Sequence, residues 1–311
     1  MRFPPAFVQG GLDALDRAQQ RFRPTAFGVG VIKRYGDDRG GMYAALITFY
    51  GLLAVFPLLL LFVTFTSMVL GKNSEATRRL THSALSQFPV IGDKLASSIG
   101  SLSSGSIVAF VASALFLLWG ALGVTSALQM AANRAWRRPR HEDPNLWIRT
   151  ARGLLLLGVI AASVVLITVL VGVSTSGYLR QFSELLGPAL ILLSLLVNLG
   201  AYYLALRILA PPELRARELL PGVIVGGVGW TALQNLGSYL LNHQLQRTSA
   251  IYGFFAIVLG LIFWLNLGAQ LFIYATEVNV VSAEHAWPRG LFEASDEVKA
   301  ELDAPPRAPE G

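Results

Sequence analysis

The sequence predicts an all-α integral membrane protein: a six-transmembrane-helix bundle with both termini cytoplasmic and an external amphipathic helical segment between helices 1 and 2. Three observations carry this prediction. Only 14% of the residues are charged, where a soluble domain has about 25%. Six stretches, 40–71, 95–133, 153–179, 185–206, 219–246 and 248–276, contain no Asp, Glu, Lys or Arg, and each exceeds the roughly 20 residues with which a helix crosses a bilayer. Runs of this kind are not the roughly ten-residue alternating strands of a membrane barrel, so they read as helices. Finally, Lys and Arg divide 19 to 6 between the two sides, and the positive-inside rule places the richer side, with both termini, in the cytoplasm.

Residues 1–42 form a basic cytoplasmic segment with no cleavable signal. Within it Phe27, Val29, Val31, Ile32 and Tyr35 alternate with Lys33, Arg34 and Arg39, which suits either a helix in the cytoplasmic interface or a flank that orients the first span. The spans fall at about 43–70, 107–127, 153–172, 188–209, 219–241 and 251–277, in a transmembrane domain covering 43–290. Pro57 lies deep in the first span, where it removes one backbone donor and is expected to kink the helix or serve as a hinge. Between spans one and two, Leu80, Leu85, Phe88, Ile91, Leu95, Ile99 and Leu102 recur among polar neighbours. They predict two short amphipathic helices broken at Pro89. The loop after span two is basic, and its Arg134, Arg137, Arg138 and Arg140 are candidate contacts for anionic headgroups, or simply set the orientation. The tail, 291–311, is rich in Glu, Asp, Pro and Ala and is expected to be disordered.

Chemistry-bearing patterns are sparse. The chain has no cysteine, and its four histidines, His82, His141, His243 and His285, are scattered, none with a second His or a carboxylate at i+3 or i+4. No phosphate-binding loop, nucleophile elbow or dinucleotide fingerprint is present, so no catalytic residue, metal or cofactor is expected. Polarity inside the spans is nonetheless aligned. At about 100° per residue, Thr231, Asn235, Ser238 and Asn242 fall within about 60° of one another in span five. Asn266, Gln270 and Glu277 align in span six, and Ser194, Asn198 and Tyr202 follow at i, i+4 and i+8 in span four. Such stripes avoid lipid, so they line either a shared wet cavity or dry, hydrogen-bonded helix contacts. Glu277 is the carboxylate that ends a span from within, placed to be protonated, to pair with Arg207 at the end of span four or to meet a cationic group, in a structural or a functional role. Gly222, Gly226, Gly229, Gly260 and Gly268 allow close helix approach.

The run from Thr48 to Leu58, Leu118-Trp119, Ala132-Asn133-Arg134-Ala135-Trp136, Leu206-Arg207 with Pro211, Pro221-Gly222, Ile251-Tyr252-Gly253, Phe263-Trp264 and Glu277-Val278-Asn279 occur in a characteristic order. Over roughly residues 30–290 the chain thereby resembles the YihY/BrkB inner-membrane proteins, once labelled ribonuclease BN. It departs from them at Trp264-Leu265-Asn266, where the family shows Trp-x-Tyr, and at Ala275-Thr276, where it shows Gly-Ala before the Glu. The resemblance implies a six-span inner-membrane protein connected with envelope integrity, serum resistance and lipid or solute transport, and it supplies no catalytic residues. The ribonuclease label finds no clustered His and Asp here. Three functions compete: a transporter or flippase-like protein for a lipid, amphipathic or anionic molecule; a non-transporting scaffold for envelope proteins; and a membrane-embedded lipid-modifying enzyme. The expected partners are membrane lipids and an anionic or lipid substrate, with no role for nucleic acid, and the oligomeric state stays open.

Overall fold

The structure is a computed structural model that describes residues 19–70, 107–137, 145–175, 183–244 and 253–290. The external segment, the acidic tail, Arg138 and Arg140 lie outside the described residues. The elements are α1 (Arg23–Asp37), α2 (Gly40–Leu70), α3 (Ile107–Ala135), α4 (Leu146–Thr175), α5 (Ser183–Leu209), a 3-10 turn (Ala216–Leu219), α6 (Leu220–Gln244) and α7 (Gly253–Ala283). No strand occurs among the described residues. Inside a hydrocarbon layer each peptide group needs an internal partner, and a continuous helix is how an isolated apolar run satisfies that need.

By length and composition, the helices α3 to α7 each carry a stretch able to cross a membrane, five in all among the described residues. Helix α2 is 31 residues long and continues through Pro57, whose missing N–H deprives the Leu53 carbonyl of its helical donor. Helix α3 continues past residue 127 to Ala135, and α4 begins at Leu146, before its charge-free stretch. Polar residues such as Asn133 and Arg134 end α3 without breaking it, because a cation in the last turn suits the helix dipole.

Consecutive helices from α2 to α7 pack side by side, and α7 closes the ring against α2. Their contact is deepest at one end, called basal below. There Ala44 and Ile47 of α2, Ala127, Leu128, Ala131 and Ala132 of α3, Leu156 of α4, Leu209 of α5, and Ala269 and Ile273 of α7 share one core. Its alanines let backbones approach, which is how helices gain dispersion contact where lipid tails are as apolar as any side chain. Higher up, Gly120 of α3 lies against the Ala54 backbone of α2, where a Cβ would stand 3.2 Å from the Ala54 nitrogen. The outer face of α4, with Leu154, Leu155, Val165 and Leu166, is exposed, as a lipid-facing surface must be.

Helix α1 lies on the basal half of α7. Val31 packs on Val278 and Val281, Phe27 meets Trp287 edge to face, and Tyr35 stacks on Tyr274 with ring centroids 4.2 Å apart. This packing overturns one expectation directly: Arg34, read as an interfacial cation, is turned into the protein and is 1% exposed. A clamp beyond α7 reinforces the dock, since Arg289 pairs with Asp37 at 2.8 Å and its carbonyl accepts a hydrogen bond from Gln19 Nε2.

Candidate functional site: a buried charge cluster

Arg34 sits on α1 in register with Phe27 and Val31, so the packing that buries those residues also drives its guanidinium between α3 and α7. Nη1 donates to Glu284 Oε2 at 2.8 Å, and Nη2 donates to the Ala135 carbonyl at 2.9 Å. That carbonyl belongs to the last turn of α3 and has no partner within its own helix, so the cation satisfies an orphan acceptor at the negative end of a helix dipole. Nε faces two carboxylates, Asp38 Oδ2 at 3.5 Å and Glu277 Oε2 at 3.8 Å. Asp38 in turn holds Arg134 Nε at 3.3 Å through Oδ1. One buried guanidinium therefore joins the end of α1, the end of α3, Glu277 of α7 and Glu284 in the turn that follows α7.

Glu277 is 1% and Asp38 5% exposed, whereas Glu284 and Arg134 stand at the rim. At these separations Arg34 Nε, Asp38 Oδ2 and Glu277 Oε2 are ion-paired but make no hydrogen bond. Burial raises the carboxyl pKa of Asp38 above its ordinary 3.8, against the opposing pull of Arg34 and Arg134. Asn279, two residues beyond Glu277 on α7, accepts the Gly222 N–H on Oδ1 and so caps the third residue of α6, while its Nδ2 has no hydrogen bond. Gly222 is small of necessity, because a Cβ there would strike the Ala275 carbonyl and Asn279.

The pairing expected between Arg207 and Glu277 is corrected. Arg207 Nη1 donates to the Leu214 carbonyl at 3.1 Å, bracing the turn that follows α5, and Glu277 pairs with Arg34. The turn lies close to Arg207 in the chain, and its carbonyls need donors once the helix has ended, so the local acceptor wins.

The polar stripes divide among separate places. Asn198 Nδ2 donates to Thr231 Oγ1 at 2.9 Å and to Gln234 Oε1 at 3.1 Å, joining α5 to α6. Thr231 donates to the Gly227 carbonyl, and Asn235 donates to the Thr231 carbonyl while remaining exposed. Tyr202 packs over Gly226 and lies 6.2 Å, ring to ring, from Phe272; Ser194 is half-buried. Gln270 donates to Asn266, and Asn266 reaches Thr48 Oγ1 at 3.3 Å, so these amides of α7 turn toward α2 and not toward α5. The side chains of Ser238 and Asn242 lie outside the described residues. Arg134 is engaged by Asp38, and Arg137 is exposed.

Sequence reasoning missed Arg34, Asp38, Glu284 and Gln234 as site residues. The signal was available for the first two: at about 100° per residue, Phe27, Val31, Arg34 and Asp38 fall within about 60° of one another, so two charges share an apolar face. Glu277 and Glu284, seven residues apart, fall within about 20° of one another by the same arithmetic.

Five helices able to span a bilayer, small residues at their contacts and an amphipathic helix stitched to one end by buried charge define a polytopic helical membrane protein. Residues 31–298 match the family model of the virulence factor BrkB, and the chain belongs to that family. It is similar to an uncharacterised protein of Dickeya dadantii (strain 3937), 22% identical over 258 residues, which are 78% of each chain. It is also similar to YfkH of Bacillus subtilis (strain 168), named as ribonuclease-like, 21% identical over 261 residues, which are 81% of this chain and 93% of that one. No solved structure gives a significant match.

Proposed function

We propose that this protein is a six-span inner-membrane transporter or flippase-like protein that moves a lipid, amphipathic or anionic molecule and contributes to envelope integrity. Helix α2 is the remaining span, the basal end faces the cytoplasm, and the termini lie there. The 19 to 6 division of positive charge supports that orientation. Arg137, with Arg138 and Arg140, meets anionic headgroups at that surface, each charge adding about 1 kcal/mol.

The observation that carries the reading is the Arg34 cluster. Charge is kept inside a membrane protein at considerable expense in solvation, and such residues typically mark ion or substrate pathways. A cluster that ties α1 to the ends of α3 and α7 closes the basal end, and its separation would open it. One observation favours the scaffold instead: Asn198, Thr231 and Gln234 satisfy one another between helices, as static packing requires.

The test is flux in proteoliposomes holding the purified full chain, screened against labelled anionic phospholipids and amphipathic organic anions. Transport predicts protein-dependent movement that Arg34→Met alters. Absence of movement for every probe, with intact oriented protein, leaves the scaffold reading in its place.

A further inference from the structure

The fully buried part of the cluster consists of one cation, Arg34, and two carboxylates, Asp38 and Glu277. Its rim adds Glu284 and Arg134, one charge of each sign and both partly hydrated, and exposed Arg137 lies beyond them in water. If every group were ionised, the buried part would hold one negative charge in excess. An uncompensated buried charge is among the most destabilising features a protein can contain, and it is relieved by taking up a proton.

The hydrogen bonding agrees with the charge count. Asp38 Oδ2 and Glu277 Oε2 are buried acceptors without a donor, both facing the same Arg34 Nε. The guanidinium has already committed its other two nitrogens to Glu284 and to the α3 carbonyl. A carboxylic acid O–H supplies the donor that such acceptors lack, whereas a metal ion would have to sit against Arg34. Among the described residues no group of His, Asp and Glu is arranged to hold a metal. The other charged or titratable groups around the site are accounted for. On α1, Asp37 is tied to Arg289 and Tyr35 is stacked on Tyr274; just past α3, exposed Arg137 adds a positive field that opposes the effect of burial at Asp38.

We propose that the Asp38, Arg34 and Glu277 cluster is a proton-binding site: the two buried carboxylates together hold one proton while α1 is docked on α7. The proton leaves to basal water when α1 separates and both carboxylates become hydrated. The burial-driven rise at Asp38 is consistent with this. Used within the transport reading above, the site makes the proton the coupling ion; its existence does not depend on that reading.

The experiment is infrared difference spectroscopy of the full chain in lipid nanodiscs, following the carbonyl band of protonated carboxyl groups against pH and in deuterated water. The expected result is a deuterium-sensitive band at neutral pH that disappears on alkalinisation. It should be lost or diminished in Glu277→Gln or Asp38→Asn, and kept in Glu213→Gln, whose side chain is exposed in the turn after α5. Absence of the band from the wild-type protein at neutral pH overturns the proposal whatever the variants do, and so does a band that both cluster variants leave unchanged. A proton-gradient flux assay separates the two claims. An intact band with no gradient-driven flux confirms the site and removes only its use in transport.

Discussion

Replacing Arg34 by Met keeps the length and most of the volume of the side chain while deleting the charge on which the ends of α1, α3 and α7 converge. The variant loses the hydrogen bonds to Glu284 and to the Ala135 carbonyl, and leaves Asp38 and Glu277 facing each other's field without a cation between them. Breaking a buried ion pair by removing one partner costs about 3–5 kcal/mol. At about 1.4 kcal/mol per tenfold, this corresponds to a rise of about two to three and a half orders of magnitude in the population with α1 undocked. Amide hydrogen exchange in nanodiscs reads that population directly, as lost protection across residues 23–37 with α4 as an unchanged reference. Adding Glu277→Gln should restore part of the protection, because it removes a charge that Arg34→Met strands. The loss should also shrink toward acid pH, where protons neutralise the stranded carboxylates. Exchange in α1 within about twofold of wild type would refute the reasoning, and would mean that Val31, Phe27 and Tyr35 hold the helix without the cluster.

Asp38→Asn gives a signed pH test. The folded carboxyl pKa is raised by burial, so its contribution to stability is fully present below the ordinary 3.8 and is lost as pH rises through the raised value. The melting temperature of wild type minus that of Asp38→Asn should therefore fall with rising pH across that window; a gap that widens contradicts the burial argument. Gly222→Ala forces a methyl group against the Ala275 carbonyl and Asn279, and should destabilise the contact of α6 with α7 by about 1–3 kcal/mol, read as a lower melting temperature. In this cysteine-free chain, a cysteine at exposed Asn235 should react with a small thiol reagent much faster than one at buried Asn198; equal rates would point to a wet α5–α6 contact.

The helices were legible in the sequence because charge-free length is a direct consequence of the solvent around them: residues such as Leu154 and Val165 face lipid and can be nothing but apolar. Glu277 was legible as unusual for the same reason, since a carboxylate at the end of an apolar run has few places to go. Its partner was not legible from proximity to the ends of spans. Arg207 stood at the end of a neighbouring apolar run, but the choice between Arg207 and Arg34 depends on which helix ends meet in space, and composition carries no record of that. Helical arithmetic aligns the polar residues of each span, but the direction in which they point relies on helix order around the ring: Asn266 and Gln270 point to α2 because α7 closes the ring there. Arg34 was recoverable by helical arithmetic alone, as a charge on the apolar face of α1, had that face been traced as far as Asp38.

The dock of α1 on α7 also fixes an order of events during synthesis. Arg34 and Glu284 are separated by 250 residues, so α1 waits for α7 before its cation reaches Glu277 and Glu284. Until α7 has been inserted, Arg34 and Asp38 remain hydrated on a tethered amphipathic segment, and the closing contact has to span a stretch that contains α2 to α6. Chains cut short before α7 thus display an unburied Phe27 and Val31 face at the membrane surface, a feature that distinguishes an unfinished protein from a finished one and that a protease or chaperone can read.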